Sequence, residues 1–203
     1  MIVYNGIEYE PLAYGKHDLG FAYYGDRLVW ELGFGTNSPE SSSDEVYGVW
    51  YNDGSFVSLD GVTEIEDEEF SGFDYETWDK KQPQAVKVNL PPTLVRIGVS
   101  AFEYNEITEL VLPDGLVDIG VGAFVENQLT SVIIPEGVTR IEEFAFFDNL
   151  LKSVTIPDSV TFIGDQSFRN NQLTEVSIKR GTKVTTHRRF ASFDPGVNII
   201  YRP

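Results

Sequence analysis

The sequence predicts a mainly β protein in two parts, an N-terminal β-hairpin domain followed by a solenoid of stacked 22-residue coils. Three observations lead there. Phe102, Phe124, Phe146, Phe168 and Phe190 stand 22 residues apart. Given how rare phenylalanine is in this chain, four further matches in register would arise by chance only about twice in 100,000 trials. Within each period, apolar residues alternate as on a strand buried on one face. The first 58 residues lack the period and carry hairpin turn pairs instead.

Other columns keep the same spacing. Ile97, Ile119, Ile141 and Ile163 form one, and Asn105, Asn127, Asn149 and Asn171 another. Ile107, Leu129, Leu151 and Leu173 make a third, and Leu110, Val132, Val154 and Val176 a fourth. Leu112, Ile134, Ile156 and Ile178 follow, the first three each trailed by a proline. Leu129-x-x-Val132-x-Ile134 reads as a strand, which Pro135 ends because it has no amide hydrogen to donate. Val138-x-x-Ile141 gives a second inward stretch. Gly120 and Gly164, with Glu142 at the equivalent place, mark a bend, and Ala145-Phe146 turns the corner. Asn149 is expected to satisfy turn amides there.

One coil cannot stand alone. Roughly seven buried apolar positions contribute about 1.5–3 kcal/mol each, against about 1–2 kcal/mol per residue to fix the backbone. Stacking supplies the remainder through ladder hydrogen bonds between neighbours. The Phe column, expected near the strand spacing of ~4.8 Å, adds about 0.5–1.5 kcal/mol per pair.

The array has atypical ends. Gly61-Val62-Thr63-Glu64-Ile65-Glu66 and Phe70 match Gly137 to Glu142 and Phe146, so a degenerate first coil begins near Phe56. Phe70 and Phe102 are 32 residues apart, which leaves a ten-residue insertion around Ser71 to Gln84. At the far end Lys179 replaces the proline and Thr185 the isoleucine, and Phe193 to Tyr201 reads as a closing strand. The division is therefore 1–58 for attachment and 59–203 for the solenoid, with the first coil at 59–85, regular repeats at 86–178 and a C-terminal cap at 179–203.

The unit from Ile134-Pro135-Glu136-Gly137-Val138-Thr139-Arg140-Ile141 to Ala145-Phe146 resembles the BspA-type leucine-rich repeats, over about residues 86–203. These occur in surface antigens of bacteria, in some protozoa and in phage or prophage genes. The resemblance implies a right-handed leucine-rich-repeat solenoid with a parallel sheet and little helix, and adhesion or recognition without naming one ligand.

The N-terminal segment reads as hairpins at Val3 to Tyr9 around Asn5-Gly6, Ala22 to Trp30 around Gly25-Asp26, and Val49 to Phe56 around Asn52-Asp53-Gly54. Gly35 to Glu45 is a polar loop. Tyr23 to Glu31 (YYGDRLVWE) resembles short hairpins of bacteriophage tail and other virion proteins. The start, MIVYNGIEYEP, has neither a basic n-region nor a continuous apolar run, so no signal peptide is expected. The virion resemblance suits that: a particle protein assembles in the host cytoplasm and leaves by lysis.

A formal charge of −17 argues against nucleic acid as partner, and no apolar run is long enough for a membrane span. There is no cysteine, which excludes disulfides and thiolate metal sites. His17 and His187 sit in no nucleophile or metal motif, so no catalytic residue, cofactor or metal ligand is assigned and no enzyme is expected. The acidic run Glu64, Glu66, Asp67, Glu68 and Glu69 matches no calcium loop and suits a solvated coil edge.

Binding residues are sought on the outward positions of the sheet: Lys87, Asn89, Glu109, Val111, Ser131, Ile133, Ser153, Thr155, Glu175 and Ser177. Val111 and Ile133 make a small apolar patch among polar neighbours, which suits a protein or glycan surface better than a deep pocket. In the insertion, Tyr75 and Trp78 suit an interface anchor, or Trp78 covers the open end of the solenoid; both readings stand. Tyr4, Tyr23, Tyr24 and Trp30 are read as anchoring residues. Arg188 and Arg189 belong to a basic end, with Lys179, Arg180, Lys183 and Arg202, that complements the acidic first coil and suits a homo-oligomer or a charged neighbour. The expected function is a structural and adhesion protein of a phage particle, on capsid or tail. It would bind other virion proteins through residues 1–58 and a host-surface protein or glycan through its repeats. A BspA-like adhesin of a bacterial cell surface is the alternative.

Overall fold

The computed structural model describes residues 47–54, 56–81, 83–185 and 191–203, together with four short strands upstream. Of those four, Ile2–Tyr4 pairs antiparallel with Ile7–Tyr9, and Ala22–Tyr24 with Arg27–Val29. These are the first two expected hairpins at the level of the backbone. The side chains of Tyr4, Tyr23 and Tyr24 lie outside the described residues, as do Trp30, Phe190, Arg188, Arg189, both histidines and the loop 35–45.

The rest is a solenoid without a helix among the described residues. Each coil has a broad side and a narrow side. The broad side includes Ala85–Asn89, Ser131–Ile133, Ser153–Thr155, Glu175–Lys179 and Asn198–Arg202. Between the first two of these, the extended stretch through Ile107, Leu110 and Leu112 accepts the Gln128 amide on Ile107 O and sends those three side chains into the core. Pairing is parallel and in register, as in Ser131↔Ser153 and Val132↔Val154. The narrow side carries two-residue strands: Glu64–Ile65, Arg96–Ile97 and Asp118–Ile119 in one ladder, Arg140–Ile141, Phe162–Ile163 and Lys183–Val184 in another.

The phenylalanines fill the interior at the corner that follows the narrow side. Phe70, Phe102, Phe124, Phe146, Phe168 and Phe193 form one stack with centroids 5.3–5.5 Å apart, wider than the strand spacing expected for them. Parallel rings with centroids further apart than the coils are offset, as their quadrupoles prefer. The first coil joins the stack through Phe70 as its matching residues predict. At the far end, however, Phe193 and not Phe190 occupies the place above Phe168, with ring planes 3° apart. The last coil thus departs from the period twice. Val184, and not Thr185, takes the column after Ile163, and the chain then spends four extra residues before reaching the corner. The closing strand is Asn198–Arg202, with Phe193 in the core before it.

The corner is built from left-handed residues. Ser100, Phe144 and Gln166 before the stacked ring, and Tyr104, Glu126, Asp148 and Asn170 after it, have φ between 48° and 58°. This turns alternate amides along the solenoid axis. Ser100, Phe102 and Tyr104 donate to the carbonyls of Val121, Ala123 and Val125 one coil further on. Close approach of coils explains Gly120, whose Cβ would lie 2.5 Å from the carbonyl carbon of Gly98.

The N-terminal edge is closed differently. Gly48–Tyr51 and Phe56–Ser58 form the third expected hairpin. Its first strand also pairs antiparallel with Ala85–Asn89, so it lies between Phe56–Ser58 and the first regular coil. An antiparallel pair ends the parallel ladder there. At the other edge Asp194 takes the backbone amides of Asn170 and Asn171 at 3.1 and 2.9 Å. Arg202 reaches back to Ile156 O at 2.6 Å and Asp158 at 2.9 Å.

Candidate functional site: the outward face of the broad sheet

The inward columns fix the outward ones, since successive side chains on a strand point to opposite faces. Val88, Leu110, Val132 and Val176 face the core. Their neighbours form two outward rows. One runs Lys87, Glu109, Ser131, Ser153, Glu175; the other runs Asn89, Val111, Ile133, Thr155, Ser177. All ten predicted positions are exposed or half-exposed. Register extends the rows to two residues that the 22-residue spacing does not reach: Asn198 pairs with Glu175, and Ile200 with Ser177. Trp50 adds the other end, beside Lys87 in register. The ammonium of Lys87 sits 4.9 Å from the Trp50 ring centroid, a cation–π contact.

Val111 is 79% exposed and Ile133 68%. They occupy one column in adjacent coils, with Thr155 opposite Ile133 on the next strand. This makes a shallow ridge of branched side chains bordered by hydroxyls, with Glu109 and Glu175 at its sides. Such a surface can exclude water over apolar area and hydrogen-bond at its rim. It brings no nucleophile together with a base. Glu109 and Glu175 lie three coils apart on the same flat row and do not face each other across a groove.

The narrow side carries ion pairs along its length. Its outward row reads Glu64, Arg96, Asp118, Arg140, Phe162, Lys183. Arg96 bridges Asp67 at 2.9 Å and Asp118 at 3.5 Å. The Asp67 carboxylate also accepts the Val99 amide at 2.8 Å, and these two interactions hold it below the usual carboxylate range. Arg140 pairs with Glu142 and lies 4.2 Å over the Phe162 ring. Val95 and Val117 are exposed at the flank of this ladder.

The insertion forms a hairpin, Phe73–Asp74 with Asp79–Lys80. Tyr75 OH hydrogen-bonds the Glu103 carboxylate, which also takes the Ser71 hydroxyl at 3.1 Å and is itself buried. Burial of the hydroxyl, with Glu103 beside it, pushes Tyr75 up to about 12. Phe73 packs at 4.9 Å against Tyr75 and 4.6 Å against Tyr104. Trp78 is 79% exposed. Of the two readings of this residue, the lid fails: a side chain so open to water covers no core. The acidic residues Glu64, Glu66, Glu68 and Glu69 are exposed along the edge of the first coil.

The family profile for the BspA type leucine rich repeat region matches residues 63–194 in six copies. No curated protein matches the chain. A crystal structure of a leucine-rich repeat protein from Bacteroides ovatus is similar at 20% identity and a TM-score of 0.40, over 70% of this chain and 44% of that one.

Proposed function

The chain belongs to the BspA-type leucine-rich-repeat family, and from that premise we propose that it is a non-enzymatic recognition protein that binds a protein surface through the outward face of its broad sheet. The observation that carries this is the pair Val111 and Ile133, apolar, adjacent and mostly in water where the repeat needs no apolar residue. On the narrow side the equivalent positions are mostly charged, with Arg96 bridging Asp118 and Arg140 paired with Glu142.

The protein acts in adhesion, its repeats engaging a host-surface protein or glycan and residues 1–58 attaching it to its own particle or cell. Placement on a bacteriophage particle is supported by the Tyr23 to Glu31 resemblance; display on a bacterial surface is the reading nearer the repeat family. Both use the same face. The test is binding of the labelled full chain to candidate host cells by flow cytometry, comparing it with a Val111→Lys/Ile133→Lys double variant. Two buried lysines at a contact core reduce binding by at least about 10-fold. Undiminished binding by the double variant sinks the assignment of this face. Light scattering on the full chain and on residues 47–203, which keep the hairpin that closes the solenoid, decides attachment: a defined oligomer that needs the preceding residues supports their role in assembly.

A further inference from the structure

The inserted hairpin holds a residue that the fold does not explain. Trp78 has φ 59°, a conformation uncommon for any residue but glycine, asparagine or aspartate and strained for a bulky one. Its amide donates to Asp74 O at 2.8 Å and closes the turn. Asp74 Oδ1 accepts the amides of Glu76 and Thr77 and stiffens it further. Its ring touches the protein edge-on at Phe73, 6.4 Å between centroids, and is otherwise in water. Backbone strain and an exposed indole both cost stability, and packing returns little of it.

The surroundings are strongly of one sign. From Asp60 to Asp79 the chain has nine acidic residues and no basic one, and most of them are exposed. Asp67 is engaged by Arg96, and Glu69 accepts the Glu66 amide at 2.8 Å. Lys80 and Lys81 stand at the base of the hairpin, Lys80 turned 5.9 Å over the Tyr104 ring and so away from the tip. Glu68 and Glu76 remain around an open aromatic surface of Tyr75 and Trp78, with Asp79, whose Oδ1 accepts the Lys80 amide at 2.8 Å, beside them.

We propose that this hairpin is a second recognition surface, separate from the broad sheet, on which Trp78 and Tyr75 receive an extended lysine- or arginine-rich segment of a partner protein. Cations sit over aromatic faces, most favourably over tryptophan. The carboxylates raise the local concentration of a basic segment and set its register. A neutral sugar would use the ring and leave the charges idle.

The experiment titrates the full-length protein with fluorescein-labelled oligolysine at physiological salt, with oligoglutamate as control. Wild type binds oligolysine and not oligoglutamate. Trp78→Ala weakens binding about 10-fold and Trp78→Phe about 2-fold, in proportion to what each ring offers a cation. Glu76→Gln/Asp79→Asn flattens the salt dependence while leaving the aromatic contact. Because Trp78 is exposed, each variant keeps the melting temperature of the wild type to within a few degrees, which circular dichroism checks. The Val111→Lys/Ile133→Lys variant binds oligolysine as tightly as wild type when the two surfaces are separate; binding weakened as far as by Trp78→Ala means that they are one and overturns the second surface. Oligolysine binding indifferent to Trp78→Ala overturns the proposal, since the attraction is then diffuse charge. So does a Trp78-dependent response to neutral oligosaccharides alone, or Trp78-dependent self-association through the basic end of a second copy.

Discussion

Asn149 accepts the amide hydrogen of Leu129, twenty residues earlier, on its Oδ1 at 3.1 Å, and its Nδ2 donates to Phe124 O at 2.8 Å. The side chain therefore ties its own coil to the one before. Asn105, Asn127 and Asn171 repeat the bridge, to the amides of Ala85, Ile107 and Leu151. Only a primary amide offers a donor and an acceptor in that plane. Asn149→Ala leaves a buried amide and a buried carbonyl short of a partner and costs about 2–4 kcal/mol, read as a lower urea midpoint. Asn149→Asp adds a pH signature. Its carboxylate accepts from Leu129 but gives nothing to Phe124 O until protonated, so its folded pKa is raised. The stability is present below the unfolded pKa and lost as pH rises through the folded one. The Asp variant is thus closer to wild type near pH 4 than near pH 7, by roughly the value of one buried hydrogen bond.

Ser167 occupies the place held by Ala101, Ala123 and Ala145. It is fully buried and its hydroxyl has no partner. Ser192, the next in the column, differs: its Oγ lies 2.7 Å from Gly164 O and 3.0 Å from Ile163 O. Ser167→Ala removes an unsatisfied polar group without opening a cavity and raises stability by about 1 kcal/mol. Ser192→Ala lowers it. Differential scanning calorimetry of the two variants should move in opposite directions.

Phe193 ends the stack and is 5% exposed. Phe193→Ala opens a cavity beside Phe168 and costs about 3–5 kcal/mol. The loss concentrates in the last coil, since each coil contacts only its neighbours. Hydrogen exchange should quicken first at the Phe168 amide, which donates to Ser192 O, while protection near Phe102 persists.

The solenoid was legible because its buried columns are a sum of near-identical local choices. The outward rows followed from those columns by strand geometry alone, and all ten positions lie where alternation puts them. The degenerate first coil and its insertion were legible through Phe70; what escaped was the break in the last coil and the pairing at the first edge. Phe190 keeps the 22-residue spacing and Phe193 does not, yet the ring above Phe168 is Phe193. Spacing cannot reveal a coil that loses one residue at Val184 and gains four before the corner. Gly48–Tyr51 alternates like any hairpin strand, and nothing local says it pairs with Ala85–Asn89. The Asn column was visible, but its partners lie across the coil boundary. Trp50 and Ile200 join the outward face through tertiary pairing, one antiparallel and one off the period.

Gln166 has φ 54° at the corner position that Gly122 fills two coils earlier. A left-handed conformation costs a residue with a Cβ about 1–2 kcal/mol, set against the extra freedom glycine loses on folding. Gln166→Gly therefore raises stability by about 0.5–1 kcal/mol. A fall in melting temperature would mean that the Gln166 side chain makes a contact worth more than the strain.

Tyr75 and Glu103 fasten the inserted hairpin to the second coil. Burial first, and then the neighbouring carboxylate, raises the Tyr75 hydroxyl to about 12. A raised folded pKa means that this contact stabilises the hairpin in full below the unfolded value of about 10. It is lost as pH climbs from there through about 12. Ultraviolet titration should show Tyr75 ionising late, beside Tyr104, which burial also raises, and Tyr75→Phe should remove the latest step. Glu103→Gln keeps a hydrogen-bond acceptor and removes the charge, so the late step moves down toward ordinary tyrosine without disappearing. If the late step survives Tyr75→Phe, the hydroxyl that ionises late is another, and the hairpin is held by Phe73 and Gly72 instead. Gly72 approaches so closely that a Cβ there would lie 2.0 Å from Tyr104 O. Gly72→Ala would then detach the hairpin at every pH, and Tyr75→Phe at none.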